Sequence, residues 1–203
     1  MLTRKQLLGA GAAAGSSALL AACGGDSGPR RSSRNQAEAL DLKLIGSALD
    51  LENTVIAAYA AGDSLLSGAA RRAGSAIVEQ EHEHARRLSG LVRDLGGRPN
   101  PPKTPEEYAR AFPRLRKRAD ALRFAIDLEN NAVRYYLESL PHLSTPELRR
   151  LAASIATSEA EHAALLRGEL RRTQVPDAFV TASVDAPVRS SRRRRLIRAA
   201  TCR

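Results

Sequence analysis

The 203-residue chain has no tryptophan, one methionine, and aromatic residues that make up only 3% of it. It also lacks stretches in which apolar and polar residues strictly alternate, so a sheet with one buried face has no sequence support. Its most apolar stretch, from Leu7 to Leu20, is rich in Gly and Ala and is too short and too weakly apolar for a secure membrane span. The two cysteines, Cys23 and Cys202, form no Cys-x-x-Cys pair. What remains is Ala, Leu, Arg and Glu in long segments of 3.6-residue period, the composition of an all-α chain long enough for one domain plus tails.

The net charge of +10 is not spread over that domain. From Asn35 to Val180 there are 20 Lys and Arg against 20 Asp and Glu, so the basicity belongs to the two tails. The domain itself is neutral overall, so the net charge of the chain is no nucleic-acid signal for it.

One segment occurs twice. ALDLENTVIAAY (Ala48 to Tyr59) is repeated as AIDLENNAVRYY (Ala125 to Tyr136), and each copy is followed about thirty residues later by Glu-x-x-His: Glu81 with His84, then Glu159 with His162. Residues three or four apart share a helix face, so each acid can be tested against the apolar stripe that should be buried. The stripes are Ile45, Leu49, Glu52, Ile56, Tyr59; Ile77, Glu81, His84, Leu88, Leu91, Leu95; Leu122, Ile126, Glu129, Val133, Tyr136, Leu140; and Leu151, Ile155, Glu159, His162, Leu166. In all four, the acids and histidines take the place of apolar residues in mid-seam.

An unpartnered ionised carboxylate in such a core costs roughly several kcal/mol, and four together repel one another. Two divalent metals neutralise four glutamates with both histidines neutral. The pattern therefore points to a dinuclear metal site of Glu52, Glu81, His84, Glu129, Glu159 and His162 inside a four-helix bundle. Carboxylate and imidazole suit two iron ions, or manganese, with zinc also admissible.

Glu79 and His82 offer a second Glu-x-x-His two residues upstream, but they fall off the line through Ile77, Leu88 and Leu91. Aligning QEHEHARRL (from Gln80) with SEAEHAALL (from Ser158) also pairs Glu81 with Glu159 and His84 with His162, leaving His82 opposite Ala160. Tyr59 and Tyr136 stand seven residues after Glu52 and Glu129, on the same face, where packing or a hydrogen bond to a ligand carboxylate is favoured over one-electron chemistry near the metals. Asp50 and Asp127 lie off the seam, with arginines between helices as their expected partners.

The expected helices run near Gln36 to Ala61, Gly68 to Leu95, Arg114 to Leu140 and Pro146 to Arg172. Ser144, Thr145, Pro146 and Glu147 form a helix-start signature, and Gly96 and Gly97 a stop. Turns centred near Leu65 and His142 bring the acids of each hairpin to one level. Between the hairpins, Gly96 to Pro113 holds Pro99, Pro101, Pro102 and a short helix starting at Thr104, and its length suits a crossover along the bundle.

LENTVIAAY, EQEHEHARRL, LENNAVRYY and SEAEHAALL resemble the four helices of the ferritin-like superfamily, particularly the bacterial members exported to the envelope. The resemblance covers about Gln36 to Arg172. It implies an all-α, ferritin-like four-helix bundle with one long crossover between helices 2 and 3. By similarity to bacterioferritin and rubrerythrin, Glu52 with His84 would hold one metal, Glu129 with His162 the other, and Glu81 and Glu159 would bridge them. The missing Cys-x-x-Cys disfavours a self-contained rubrerythrin peroxidase.

At the N-terminus, Arg4 and Lys5 precede the Gly/Ala-rich stretch, which ends in Leu20, Ala21, Ala22, Cys23. This resembles a bacterial lipoprotein signal, with residues 1–22 removed, Cys23 lipidated and residues 23–35 a flexible tether. Thr3 to Leu8 resembles a twin-arginine signal with Lys5 in place of the second Arg. The domain is then 36–175, followed by a basic tail at 176–203. An anchor at Cys23 makes a closed storage cage awkward and leaves Cys202 a free thiol or an intermolecular link.

The expected partners are the membrane, through Cys23, and anionic lipid or cell-envelope polymer, through Arg189, Arg192 to Arg195, Arg198 and Arg203, with no nucleic acid. A homodimer is one assembly this reading allows. The functional expectation is an envelope di-iron or dimanganese protein that oxidises ferrous iron or reacts with oxygen or peroxide. Its alternative is a non-catalytic metal-binding or stress-protection lipoprotein.

Overall fold

The computed structural model describes residues 28–176, whose regular structure is all helix, with no strand among them. The four long helices are α1 (Gly28–Gly62), α2 (Gly68–Asp94), α4 (Arg118–Ser139) and α5 (Pro146–Glu169), with a short α3 (Pro105–Ala111) between the hairpins. Single 3-10 turns, Asp63–Leu65 and Leu140–His142, lie at the two expected hairpin turns. The signal-like segment, Cys23 and the arginine tail lie outside the described residues.

The helix ends follow local chemistry. Thr145 caps α5 by accepting the Leu148 N–H, with Pro146 in the first turn where its missing N–H costs nothing. Thr104 and Glu107 form a reciprocal capping box on α3. After α2 the N–H of Gly97 bonds Val92 O and that of Gly96 bonds Arg93 O, with Gly96 at φ 78°. A Cβ at Gly97 would stand 2.4 Å from Leu42, so this stop also sets how closely the chain passes α1.

Three boundaries differ from expectation, the smallest difference being at α5, which ends at Glu169 and not at Arg172. Helix α1 starts at Gly28, so residues 28–35 of the expected tether are helical: Pro29 falls in the first turn, and no breaker follows before the amphipathic part. Helix α4 starts at Arg118, four residues later than expected, because the chain is still completing its crossover after Pro113.

Each long helix packs on two others, in the order α1, α2, α5, α4 and back to α1. The buried side chains form two apolar layers. One contains Leu49, Leu88, Tyr136 and Ile155; the other contains Val55, Ile77, Leu122 and Leu166. Along α1 and α5 the chain passes from the first layer to the second, and along α2 and α4 from the second to the first. Hence α1 is antiparallel to α2 and α4, and the link from α2 to α4 must travel the length of the bundle. That link carries α3, which packs on α1 and buries Tyr108. The long crossover expected from sequence is thereby present.

Within the seams, Val55, Val92 and Ala152 are buried, whereas Ile56, Leu91 and Leu151 are only partly so.

Candidate metal centre

Between the two apolar layers lies a layer of charge. Glu52 and Glu129 enter from α1 and α4, Glu81 and His84 from α2, and Glu159 and His162 from α5. The four glutamates are 0% exposed and His162 4%. The structure brings the six residues into two groups: Glu52, Glu81, His84 and Glu159, and Glu81, Glu129, Glu159 and His162. Within each group, one ligand atom per residue lies within 4.8 Å of all the others. Glu81 and Glu159 belong to both.

The contacts repeat by pseudo-twofold symmetry. His84 Nδ1 lies 3.0 Å from Glu159 and 3.4 Å from Glu81; His162 Nδ1 lies 2.9 Å from Glu81 and 3.5 Å from both Glu159 and Glu129. The imidazole centroids are 6.3 Å apart. Tyr59 donates its hydroxyl to Glu129 at 2.5 Å, and Tyr136 donates to Glu52. Since each tyrosine lies two turns beyond the glutamate of its own helix, these crossed bonds require α1 and α4 to be antiparallel.

The close His–Glu approaches lack hydrogen-bond geometry. Glu52 Oε2, Glu129 Oε2, both oxygens of Glu81 and Glu159, and Nδ1 of both histidines are buried with no hydrogen-bond partner among the described residues. Eight lone-pair-bearing atoms turned inward onto two points are a poor fit to a hydrophobic core and a good fit to two divalent cations.

The electrostatics carry the same message. Burial pushes Glu52 and Glu129 well above the usual carboxylate range, with the charge of Glu159 adding to it. Burial also acts to raise Glu81 and Glu159, but contact with His162 and His84 outweighs it, holding Glu81 low and Glu159 at about 2. Burial would lower the histidines, yet the carboxylates win and raise His84 to about 9 and His162 to about 12. Left to themselves, the six side chains reach neutrality by holding protons where cations would otherwise sit. Burial and the adjacent Glu129 and Glu52 raise Tyr59 and Tyr136, keeping both hydroxyls as donors.

Glu79 and His82 are exposed and outside both groups. The expected Asp–Arg pairs do not form: Asp50 accepts Asn100 from the crossover at 3.2 Å, and no ion pair to Asp127 exists among the described residues. Two residues went unnoticed in the sequence. Gln80 contacts His162, and buried Asp41 accepts the N–H and hydroxyl of Ser144. Asp41 lies on the buried stripe of α1, one turn before Ile45, and that position was its signal.

Residues 40–172 match the ferritin-like domain family, and the chain belongs to it. Among solved structures, a conserved hypothetical protein from Mycobacterium tuberculosis, rv2844, superposes with a TM-score of 0.59 at 17% identity, covering 64% of this chain and 97% of its own. A dodecameric thioferritin, the bacterioferritin-related protein of Bacteroides fragilis, superposes with a TM-score of 0.55 at 20% identity, covering 66% and 86%. At these identities the likeness concerns the fold. No curated protein matches the chain significantly by sequence.

Proposed function

We propose that the protein is an envelope-anchored dinuclear iron or manganese protein that oxidises ferrous iron or reduces oxygen or peroxide. The observation that carries this reading is the pair of four-residue groups sharing Glu81 and Glu159, with their inward atoms unpartnered. Glu52 and His84 would hold one metal, Glu129 and His162 the other, and Glu81 and Glu159 both. Bound there, a redox pair supplies two one-electron steps at adjacent ions. For ferrous iron as substrate, two ions each give one electron, and one peroxide with two protons becomes two waters.

The chain's own groups set the conditions for that chemistry. Tyr59 and Tyr136 orient Glu129 and Glu52, the apolar layers above and below exclude water, and shared carboxylates fix both positions relative to each other. No helix among the described residues is long and apolar enough to cross a membrane. Attachment through lipidated Cys23, supported by Leu20 to Cys23 in the sequence, places the bundle at the outer surface of the membrane, with the C-terminal arginines against anionic lipid or envelope polymer.

The test is anaerobic loading with ferrous iron followed by oxygen or peroxide, read by the appearance of ferric iron. The wild type should oxidise iron faster than free solution, and the Glu81→Ala/Glu159→Ala variant should match free solution. Tight metal binding with a large gain in stability but no acceleration would replace this reading with that of a structural metal site.

A further inference from the structure

The duplicated halves are not equal around their histidines. His162 is 4% exposed, and while its Nδ1 faces Glu81, Glu129 and Glu159, its Nε2 lies 3.1 Å from Gln80 Oε1 on α2. If Nδ1 is to offer a lone pair to the cluster, the ring proton must sit on Nε2, and Nε2–H then needs an acceptor. Gln80 supplies one. In the repeat alignment the counterpart of His162 is His84, and the counterpart of Gln80 is Ser158. Ser158 makes no hydrogen bond to His84, no acceptor among the described residues takes His84 Nε2, and the His84 side chain is 13% exposed.

The sequence thus duplicates the six cluster residues without duplicating the group that fixes ring orientation. An imidazole held in one tautomer and one rotamer loses less freedom on ligation, and an amide or carboxylate acceptor raises its basicity. Tyr59 and Tyr136 donate alike to Glu129 and Glu52, so the difference between the two positions lies at the imidazoles. The remaining position, with Glu52 and His84, is the one with solvent at its imidazole.

We propose that Gln80 is a positioning residue that makes the Glu129/His162 position the tighter of the two, so that metal loads first there and exchanges chiefly at the Glu52/His84 position. This rests on the dinuclear reading above. Gln80 itself is exposed, so replacing it leaves the core packing untouched.

The experiment is a cobalt(II) titration of the full chain, followed by calorimetry and by the visible absorption of bound cobalt, on wild type, Gln80→Leu, Gln80→Glu and His84→Ala. Wild type should bind two ions in separate steps. Gln80→Leu should weaken the tighter step by about tenfold or more, with an altered absorption band for that step and an unchanged weaker step. Gln80→Glu, which keeps an acceptor, should restore it. His84→Ala should lose the weaker step alone. Two ions bound by Gln80→Leu with wild-type affinities and spectra would overturn the role of Gln80 while leaving the dinuclear reading intact. Loss of the tighter step in His84→Ala would overturn the assigned order. No cobalt bound by the wild type would overturn the dinuclear reading and this inference together.

Discussion

Tyr136 and Tyr59 show how much a single buried donor contributes in a layer otherwise made of acceptors. Each donates a hydroxyl hydrogen bond to a glutamate of the opposite hairpin, so each holds a carboxylate in the orientation that turns its second oxygen toward the cluster. Tyr136→Phe and Tyr59→Phe should each lower metal affinity by about tenfold, measured by competition with a chelator. Tyr135→Phe, which removes a bond to the Leu44 carbonyl away from the cluster, should leave affinity unchanged. Equal affinities in all three variants would contradict the orienting role. The sequence made Tyr59 and Tyr136 visible, because they recur at a fixed distance from Glu52 and Glu129. It hid Gln80, which occurs once and stands on an exposed face where glutamine is ordinary.

At the scale of elements, the hairpins are held in register by a few polar contacts in addition to their apolar stripes. Asp41 on α1 reaches the segment joining α4 to α5, accepting the Ser144 N–H at 2.9 Å and the Ser144 hydroxyl. Truncation leaves two partly buried donors unpaired, so Asp41→Ala should cost about 2 kcal/mol, read as a lower midpoint in urea, with Asp41→Asn costing less. An unchanged midpoint would mean that the loop closes on its own. The helices were legible because period and caps agree: Thr145 with Pro146, Thr104 with Glu107, and Gly96 with Gly97 each act on backbone groups within five residues. The start of α4 and the partners of Asp50 were not legible. Both depend on where the crossover settles against α1, a contact between residues fifty apart such as Asn100 and Asp50.

For the whole molecule, one charged layer lies between two apolar ones, and its protonation links stability to pH. The histidines are raised from 6.5 to about 9 and about 12 against the opposing effect of burial. The stability they lend is complete below pH 6.5 and is lost as pH rises through those folded values. Glu52 and Glu129, raised above 4.5 by burial, act in the same sense. Glu159, lowered to about 2, and Glu81, also lowered, lend stability above pH 4.5 that falls away only in acid. Protein stripped of metal should therefore melt ~5 °C or more lower at pH 9 than at pH 6.5. Added metal, which displaces those protons, should stabilise more at the higher pH. A stripped protein whose melting point rises over that range would contradict these charge assignments. The central claim, that the layer exists to hold two cations, is tested most directly by elemental analysis of the full chain purified without chelator, beside Glu81→Ala/Glu159→Ala. The account predicts about two iron or manganese ions per wild-type chain, lost in the variant. A folded wild type that carries no metal and takes up neither ion on reconstitution would contradict it.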